Sequence, residues 1–467
     1  MIPKLIFLVA CVIFWRLIKR DNRLREGTSA ALWIPTLWMG IIASRPVSMW
    51  LGFGGGSDTL EGSPMDALFF VVLIFAALAV LSRRRLLWSR LISENWAIFF
   101  FYGFVLLSVI WAYSPLVSFK RWFKEIGNIF VLLVFLTEAD PKQALRAVFF
   151  RCGCVLIPLS YILIRWFPDL GRRYSIHSGA MEATGVTCQK NSLGAMILVC
   201  GLIIFWDWLE LRKKRQMDAE ATLRFDLNLR IALLLCGGYL LNMCDSKTSM
   251  TCLMLGAGVL AATRLRILRQ RLRLLWVLAA AALFGYLALN QFWDVKGLVL
   301  QDLGRNSDLT GRTEVWSTLL KAGTDPIIGT GYLSFWDNPL YQSKLPGGDS
   351  FSAHNGYLEI YLFEGGIGVC FLAIMILASG IRINQGLVRD GDYGVVRFAI
   401  FLIALLANYT ESNFACMTPV GFLFLTATIG HAEAAAVVRE SDELIVPPTE
   451  SEGAEVRVGG PAASFPD

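Results

Sequence analysis

Charge is scarce in this chain of 467 residues: Asp, Glu, Lys and Arg make up 17% of it, against roughly 25% in soluble domains. Histidine is scarcer still, at three residues. The ten cysteines follow neither a disulfide framework nor a zinc-site spacing. Cys11, Cys200, Cys236, Cys252 and Cys370 fall inside apolar blocks, where cysteine acts as a small hydrophobe, and Cys152 and Cys154 lack partner ligands nearby in sequence. No A-x-A cleavage site follows the first apolar stretch, and no internal repeat marks paired transporter halves. These absences argue against a soluble enzyme, a secreted disulfide scaffold and a structural zinc protein.

What the chain has in abundance is apolar sequence, 55% of its residues, at a mean hydropathy of +0.54. The apolar residues gather into blocks of about 15 to 20, long enough to cross a hydrocarbon core of roughly 30 Å as helices. Candidate spans are 2–15, 30–43, 66–82, 95–113, 125–138, 150–167, 192–208, 230–244, 250–263, 274–290, 357–380, 395–409 and 417–433. The expected fold is therefore an all-α polytopic membrane protein of about 12 transmembrane helices, within a range of 11 to 13. The first block, followed by Arg16, Lys19, Arg20, Arg23 and Arg25, reads as a retained anchor.

The formal net charge of +6 is spread over short loops instead of one surface, which points to topology and away from nucleic acid. Loops 16–29, 83–94, 139–149, 209–229, 264–273 and 381–394 hold the basic clusters, including Arg83-Arg84-Arg85 and Arg212-Lys213-Lys214-Arg215, and so are assigned to the cytoplasm. The alternate loops then face outward, among them the longest. This divides the chain into an N-terminal transmembrane bundle (1–290), a large periplasmic loop (291–356), C-terminal transmembrane helices (357–433) and a disordered cytoplasmic tail (434–467).

A loop that long among short ones is expected to carry function. Within it, Gly311–Leu320 reads as an amphipathic helix preceded by the cap residues Ser307, Asp308 and Thr310. The segment Asp325-Pro326-Ile327-Ile328-Gly329-Thr330-Gly331-Tyr332 is turn chemistry bearing apolar side chains, as expected of a stretch folded back onto the membrane domain. Polar residues Pro346–Ser350 then lead to Ser352-Ala353-His354-Asn355-Gly356-Tyr357-Leu358-Glu359, from which a helix re-enters the bilayer.

At these residues the chain resembles the O-antigen ligase and O-antigen polymerase superfamily, and within it the exopolysaccharide polymerases. The shared pattern is Gly311-Arg312-Thr313 with Trp316, then Pro326-x-x-Gly329-x-Gly331, then His354-Asn355-x-x-Leu358-Glu359 with Gly365-Gly366-x-Gly368 following. Gln189–Gly194 and Asp245–Ser249 are also similar to the family, and the likeness covers about residues 95–430. Where ligases commonly carry an arginine, this chain has Lys247, which keeps the charge but not the bidentate fork.

The resemblance implies a membrane glycosyltransferase that polymerises undecaprenyl-pyrophosphate-linked oligosaccharide repeat units on the periplasmic face of the bacterial inner membrane, with neither metal nor cofactor. Such chemistry needs cations for the departing pyrophosphate and a base at the acceptor hydroxyl. The implied roles are His354 and Glu359 as catalytic residues, Arg312, Lys247, Lys190 and Arg121 as donor pyrophosphate ligands, and Asn355, Asn191, Asp245 and Trp316 as substrate or positioning residues. His354 is the natural base, because imidazole exchanges a proton near neutral pH. Implied partners are the lipid-linked glycan, membrane lipids, and a chain-length regulator and flippase of the same pathway. Two other functions stay open at this point: a ligase moving glycan to lipid A core or protein, and a polysaccharide flippase or transporter.

Plain structural readings stand beside these. His354 could cap its helix, Lys247 could snorkel, and Lys120-Arg121-Lys124 could form an interfacial turn. His177 and His431 lack a supporting motif. Asp207 and Glu364, both near span ends, are expected to be solvated at the interface.

Overall fold

The computed structural model describes residues 2–25, 27–53, 63–84, 86–174, 179–215, 221–293, 312–343 and 352–430. Gly311 and its preceding cap residues, Pro346–Ser350, His177, His431 and the tail 434–467 lie outside the described residues, as does the side chain of Arg312. Helices dominate. In chain order they are α1 (Ile2–Leu24), α2 (Trp33–Ile42), α3 (Val47–Trp50), α4 (Pro64–Arg83), α5 (Trp88–Glu94), α6 (Trp96–Ser108), α7 (Pro115–Leu136), α8 (Pro141–Trp166), α9 (Pro168–Gly171) and α10 (Lys190–Arg215). They continue with α11 (Ala221–Cys244), α12 (Lys247–Ala262), α13 (Arg266–Gln270), α14 (Leu274–Trp293), α15 (Arg312–Leu320), α16 (Pro339–Gln342), α17 (Gly356–Arg389), α18 (Gly391–Ala407) and α19 (Pro419–Thr428). Each apolar block read from the sequence overlaps a helix. One departure from an all-α chain is a short antiparallel pair, β1 (Arg172–Tyr174) with β2 (Met181–Ala183), in register Arg172 to Ala183.

Among the described residues, five helices are long and apolar enough to cross a membrane: α4, α8, α10, α11 and α17. A sixth arises if α5 and the segment Trp96–Trp111, bent by 89°, count as one span. On α4, Leu68, Val72 and Phe75 stay exposed, as side chains facing lipid do. The opposite side, Phe70, Leu73, Ile74 and Ala77, packs into the core. At the centre, α10 packs against α8, α11, α12 and α19, while α18 lies between α12, α17 and α19.

Asp207 overturns the expectation of a solvated carboxylate, being 1% exposed. Three arginines from other elements reach it: Arg25 at 3.0 Å, Arg230 at 2.9 Å and Arg146 at 3.5 Å. Arg25 also holds Asp21 at 2.7 Å, and Arg151 lies 3.4 Å from the same carboxylate. The network ties α1, α8, α10 and α11 together at the end the basic loops assign to the cytoplasm. Removing one partner of a buried ion pair leaves an uncompensated charge, at a cost of roughly 3–5 kcal/mol. Asp207→Ala is accordingly expected to lower the thermal midpoint of the detergent-solubilised protein strongly, and an unchanged midpoint would show that the network contributes little. Glu364 departs from expectation in the same way, being fully buried with its Oε1 accepting from Ser108 Oγ at 2.9 Å.

The segment 321–337 does fold back, and it does so by entering a break in α17. Gly365 there has φ 62° and ψ −162°, a region open in practice to glycine alone. The carbonyls of Leu362 and Phe363 accept from Thr330 N (3.0 Å) and Gly331 N (2.8 Å). The amides of Gly366 and Ile367 donate to Pro326 O (2.9 Å) and Ile327 O (3.1 Å). These four groups, which an unbroken helix would pair with one another, each find a partner in the loop, so the backbone is satisfied away from water. A small second core covers the junction: Leu319 of α15, Phe335, Trp336, Ala353, Leu362 and Phe363.

Candidate functional site

Asn355 is the N-cap of α17, its Oδ1 accepting from Tyr357 N (3.0 Å) and Leu358 N (3.1 Å), which is the ordinary task of asparagine at that position. The residue before it, His354, has φ 48°. That left-handed turn is held by a donation from His354 N to Ser352 Oγ at 3.0 Å. Glu359, one turn into the helix and buried, anchors this arrangement. Its Oε1 accepts from Ala353 N (2.7 Å), Ser352 Oγ (3.1 Å) and Ser412 Oγ (3.3 Å), and its Oε2 from Trp336 Nε1 (2.8 Å). Both oxygens are engaged by protein donors, an arrangement that suits a scaffold for the His354 turn better than a proton carrier.

The His354 imidazole itself is partly exposed. Its Nδ1 lies 3.2 Å from Glu411 Oε2, and Nε2 has no hydrogen-bond partner among the described residues. Glu411 belongs to the turn between α18 and α19, and that turn touches the starts of three helices. Asn191 Nδ2, at the start of α10, donates to Glu411 Oε1 at 2.9 Å. Thr410 Oγ1 donates to Thr248 Oγ1, at the start of α12, at 2.9 Å. Gly356 N, the first residue of α17, donates to Asn408 O (2.8 Å) and Glu411 O (3.2 Å). A Cβ at Gly356 would collide with Asn408 Oδ1, so only glycine lets the helix start this close to the turn. Gly194 serves α10 and α12 likewise: a Cβ there would sit 2.8 Å from Ser249 Oγ.

Lys190 and Lys247 open α10 and α12, so both lie where helix N-termini carry positive partial charge. Lys190 Nζ pairs with Glu182 of the hairpin at 2.9 Å, and Lys247 Nζ with Asp245 at 3.0 Å. All four side chains are at least partly exposed, and such pairs hold by only about 0–1 kcal/mol, so a multiply charged phosphate can displace the carboxylates.

Arg121 stands apart from this group. Its guanidinium grips Asp337 (2.5 and 3.2 Å) and Leu333 O (2.9 Å), clamping the folded-back loop to α7. Nearby, Tyr332 OH donates to Ala415 O at 2.8 Å. Burial pushes that phenol well above its ordinary range, so it stays a donor at any ordinary pH. Trp316 on α15 donates from Nε1 to Ala353 O at 2.8 Å and so braces the residue before His354. Arg312 opens α15.

Sequence reasoning passed over Glu411 and Thr410, and it gave Thr248 no role although it lies in the Asp245–Ser249 segment. A signal was there for Glu411: Tyr409-Thr410-Glu411-Ser412-Asn413 is the polar interruption between two apolar blocks, on the face assigned outward.

Residues 231–374 match a family model described as O-Antigen ligase. The stretch holds Lys247, Trp316, His354 and Glu359 and leaves Arg121, Lys190, Asn191 and Glu411 outside it. The chain is also 23% identical over 349 residues to the Exopolysaccharide production protein ExoQ of Rhizobium meliloti, covering 71% of this chain and 76% of that one. The chain is thus similar to the O-antigen ligase and polymerase superfamily.

Proposed function

We propose that this membrane protein, a relative of O-antigen ligases and of an exopolysaccharide production protein, joins oligosaccharide repeat units carried on a polyprenyl pyrophosphate at the outer face of the bacterial inner membrane. In this reading the chain crosses the bilayer about 12 times and the 291–356 loop is periplasmic. Support comes from the alternation of basic loops with apolar helices and from the match of residues 231–374. The observation that carries the chemistry is the turn 408–412, which holds His354 through Glu411 and docks the helix starts that bear Lys190 and Lys247.

The Glu411 carboxylate facing Nδ1 favours the tautomer with its proton there, leaving Nε2 to accept. An acceptor sugar hydroxyl gives its proton to His354 Nε2 as its oxygen attacks the anomeric carbon of the donor. The bond from that carbon to the phosphate oxygen breaks, and the lipid pyrophosphate leaves with the electron pair. Lys190, Lys247 and the amides at the starts of α10 and α12 receive the charge that develops on it, with Arg312 as a further cation on the loop. Direct displacement inverts the anomeric centre.

The test is extension of a lipid-linked repeat unit by the purified protein in detergent, where no second compartment exists for transport. Longer lipid-linked products support the reading, and none under any condition sinks it. Lys247→Ala is expected to lower the rate at least about tenfold, the scale of one charge-assisted contact, with Lys247→Arg retaining part of it. An unaffected Lys247→Ala protein would remove that residue from the donor site. The O-Antigen ligase match favours a second reading, transfer of finished glycan to another acceptor. Deleting the gene separates the two: loss of a polymerase leaves single repeat units, whereas loss of a ligase leaves long chains on the lipid carrier.

A further inference from the structure

We infer that the ring of Tyr409, braced by Trp316, is the platform on which the acceptor pyranose lies while its hydroxyl meets His354; the inference rests on the transferase reading above. Tyr409 is 50% exposed although Asn408 before it is fully buried. Its ring meets that of Trp316 at a centroid distance of 5.8 Å and 74° between planes, a perpendicular contact that fixes the tyrosine without covering it. Trp316 is itself tied to Ala353 O, one residue before the imidazole. The two residues after Tyr409 complete the arrangement: Thr410 reaches Thr248 beside Lys247, and Glu411 reaches His354. One three-residue stretch therefore delivers an open aromatic face, the contact to the cationic helix start, and the carboxylate that orients the base.

A pyranose has a face of C–H groups and a rim of hydroxyls. An aromatic ring suits the first, and polar groups converging at its edge suit the second. The polar side chains that the same turn brings together are His354, Glu411 and Ser412, all partly exposed. A tyrosine serving only as an interfacial anchor would also be exposed, but it would gain nothing from a tryptophan bonded to the loop that carries the base.

The probe is a set of short oligosaccharides made by partial acid hydrolysis of the polysaccharide the native strain secretes, titrated into full-length protein in detergent. Tyr409→Ala and Tyr409→Leu are expected to weaken binding about tenfold, or about 1.4 kcal/mol, and to raise KM for the acceptor with kcat nearly kept. Tyr409→Phe should bind within about twofold of the parent, and His354→Ala should bind within about threefold of it, having lost one hydroxyl contact, while its extension rate falls by about 10²- to 10⁴-fold. Two variants of different bulk guard against a folding defect in either. Normal affinity in both Tyr409→Ala and Tyr409→Leu, with extension by His354→Ala still strongly lowered, overturns the platform and leaves the transferase reading intact. Parent protein that neither binds nor extends any saccharide overturns both.

Discussion

Replacing His354 with alanine is expected to lower chain extension by about 10²- to 10⁴-fold, the range that one positioned general base supplies, while the protein still inserts and folds. Folding should survive because the side chain is partly exposed and gives up one side-chain contact, to Glu411, worth about 1 kcal/mol. The turn itself is held by Ser352, Glu359 and Asn408, none of which needs the imidazole. Glu411→Gln offers a graded companion. A glutamine amide keeps a polar contact with Asn191 but removes the negative charge beside Nδ1, so tautomer control weakens and the rate should fall at least about tenfold. Full-length polymer from a His354→Ala strain would remove this histidine from the catalytic residues. A Glu411→Gln rate equal to the parent would show that the carboxylate only packs against the ring.

The apolar helices were legible because their signal is local: an apolar block long enough to be a helix declares itself without reference to any other part of the chain, although among the described residues only five, or six with the bent pair, are long and apolar enough to cross a membrane. The motif around His354 was legible for the same reason. What local pattern withheld was partnership. Glu359 lies five residues from His354 and reads as chemistry, yet four donors, from Trp336, Ser352, Ala353 and Ser412, fill its two oxygens. Glu411, 57 positions away in sequence, is the carboxylate that meets the ring. Arg121 likewise looked available for phosphate until Asp337, 216 positions on, took its fork. Asp207 looked solvated from its place near the end of an apolar block, but its environment is set by Arg25 just after α1 and by arginines on α8 and α11. Short glycine motifs carried more than they disclosed, since their spacing marks turns but not which distant backbone a turn will meet.

Gly365 shows that limit sharply, and Gly365→Ala is expected to be severely damaging. The residue holds φ 62° and ψ −162°, where a side chain adds strain of order 1–3 kcal/mol. A Cβ would also collide with the carbonyl carbon and oxygen of Ile327, and neither backbone can retreat without parting the four hydrogen bonds that join Pro326–Gly331 to α17. The second core, built from Leu319, Phe335, Trp336 and Ala353, rests on that junction, and Ala353 precedes the base. The substitution should therefore lower the thermal midpoint and abolish extension together, although it lies well along the helix from His354. Gly366→Ala is the control. A Cβ at Gly366 would approach only Pro326 O, at 3.3 Å, a crowding that a shift of a few tenths of an ångström relieves, and its φ lies outside the left-handed region. That variant should keep most of its activity. Equal damage from the two neighbours would mean that any added volume at the helix break is intolerable and that the Gly365 backbone conformation is not the determinant. Equal tolerance would mean that the loop does not enter α17 at this point, and the geometry that places His354 would lose its foundation.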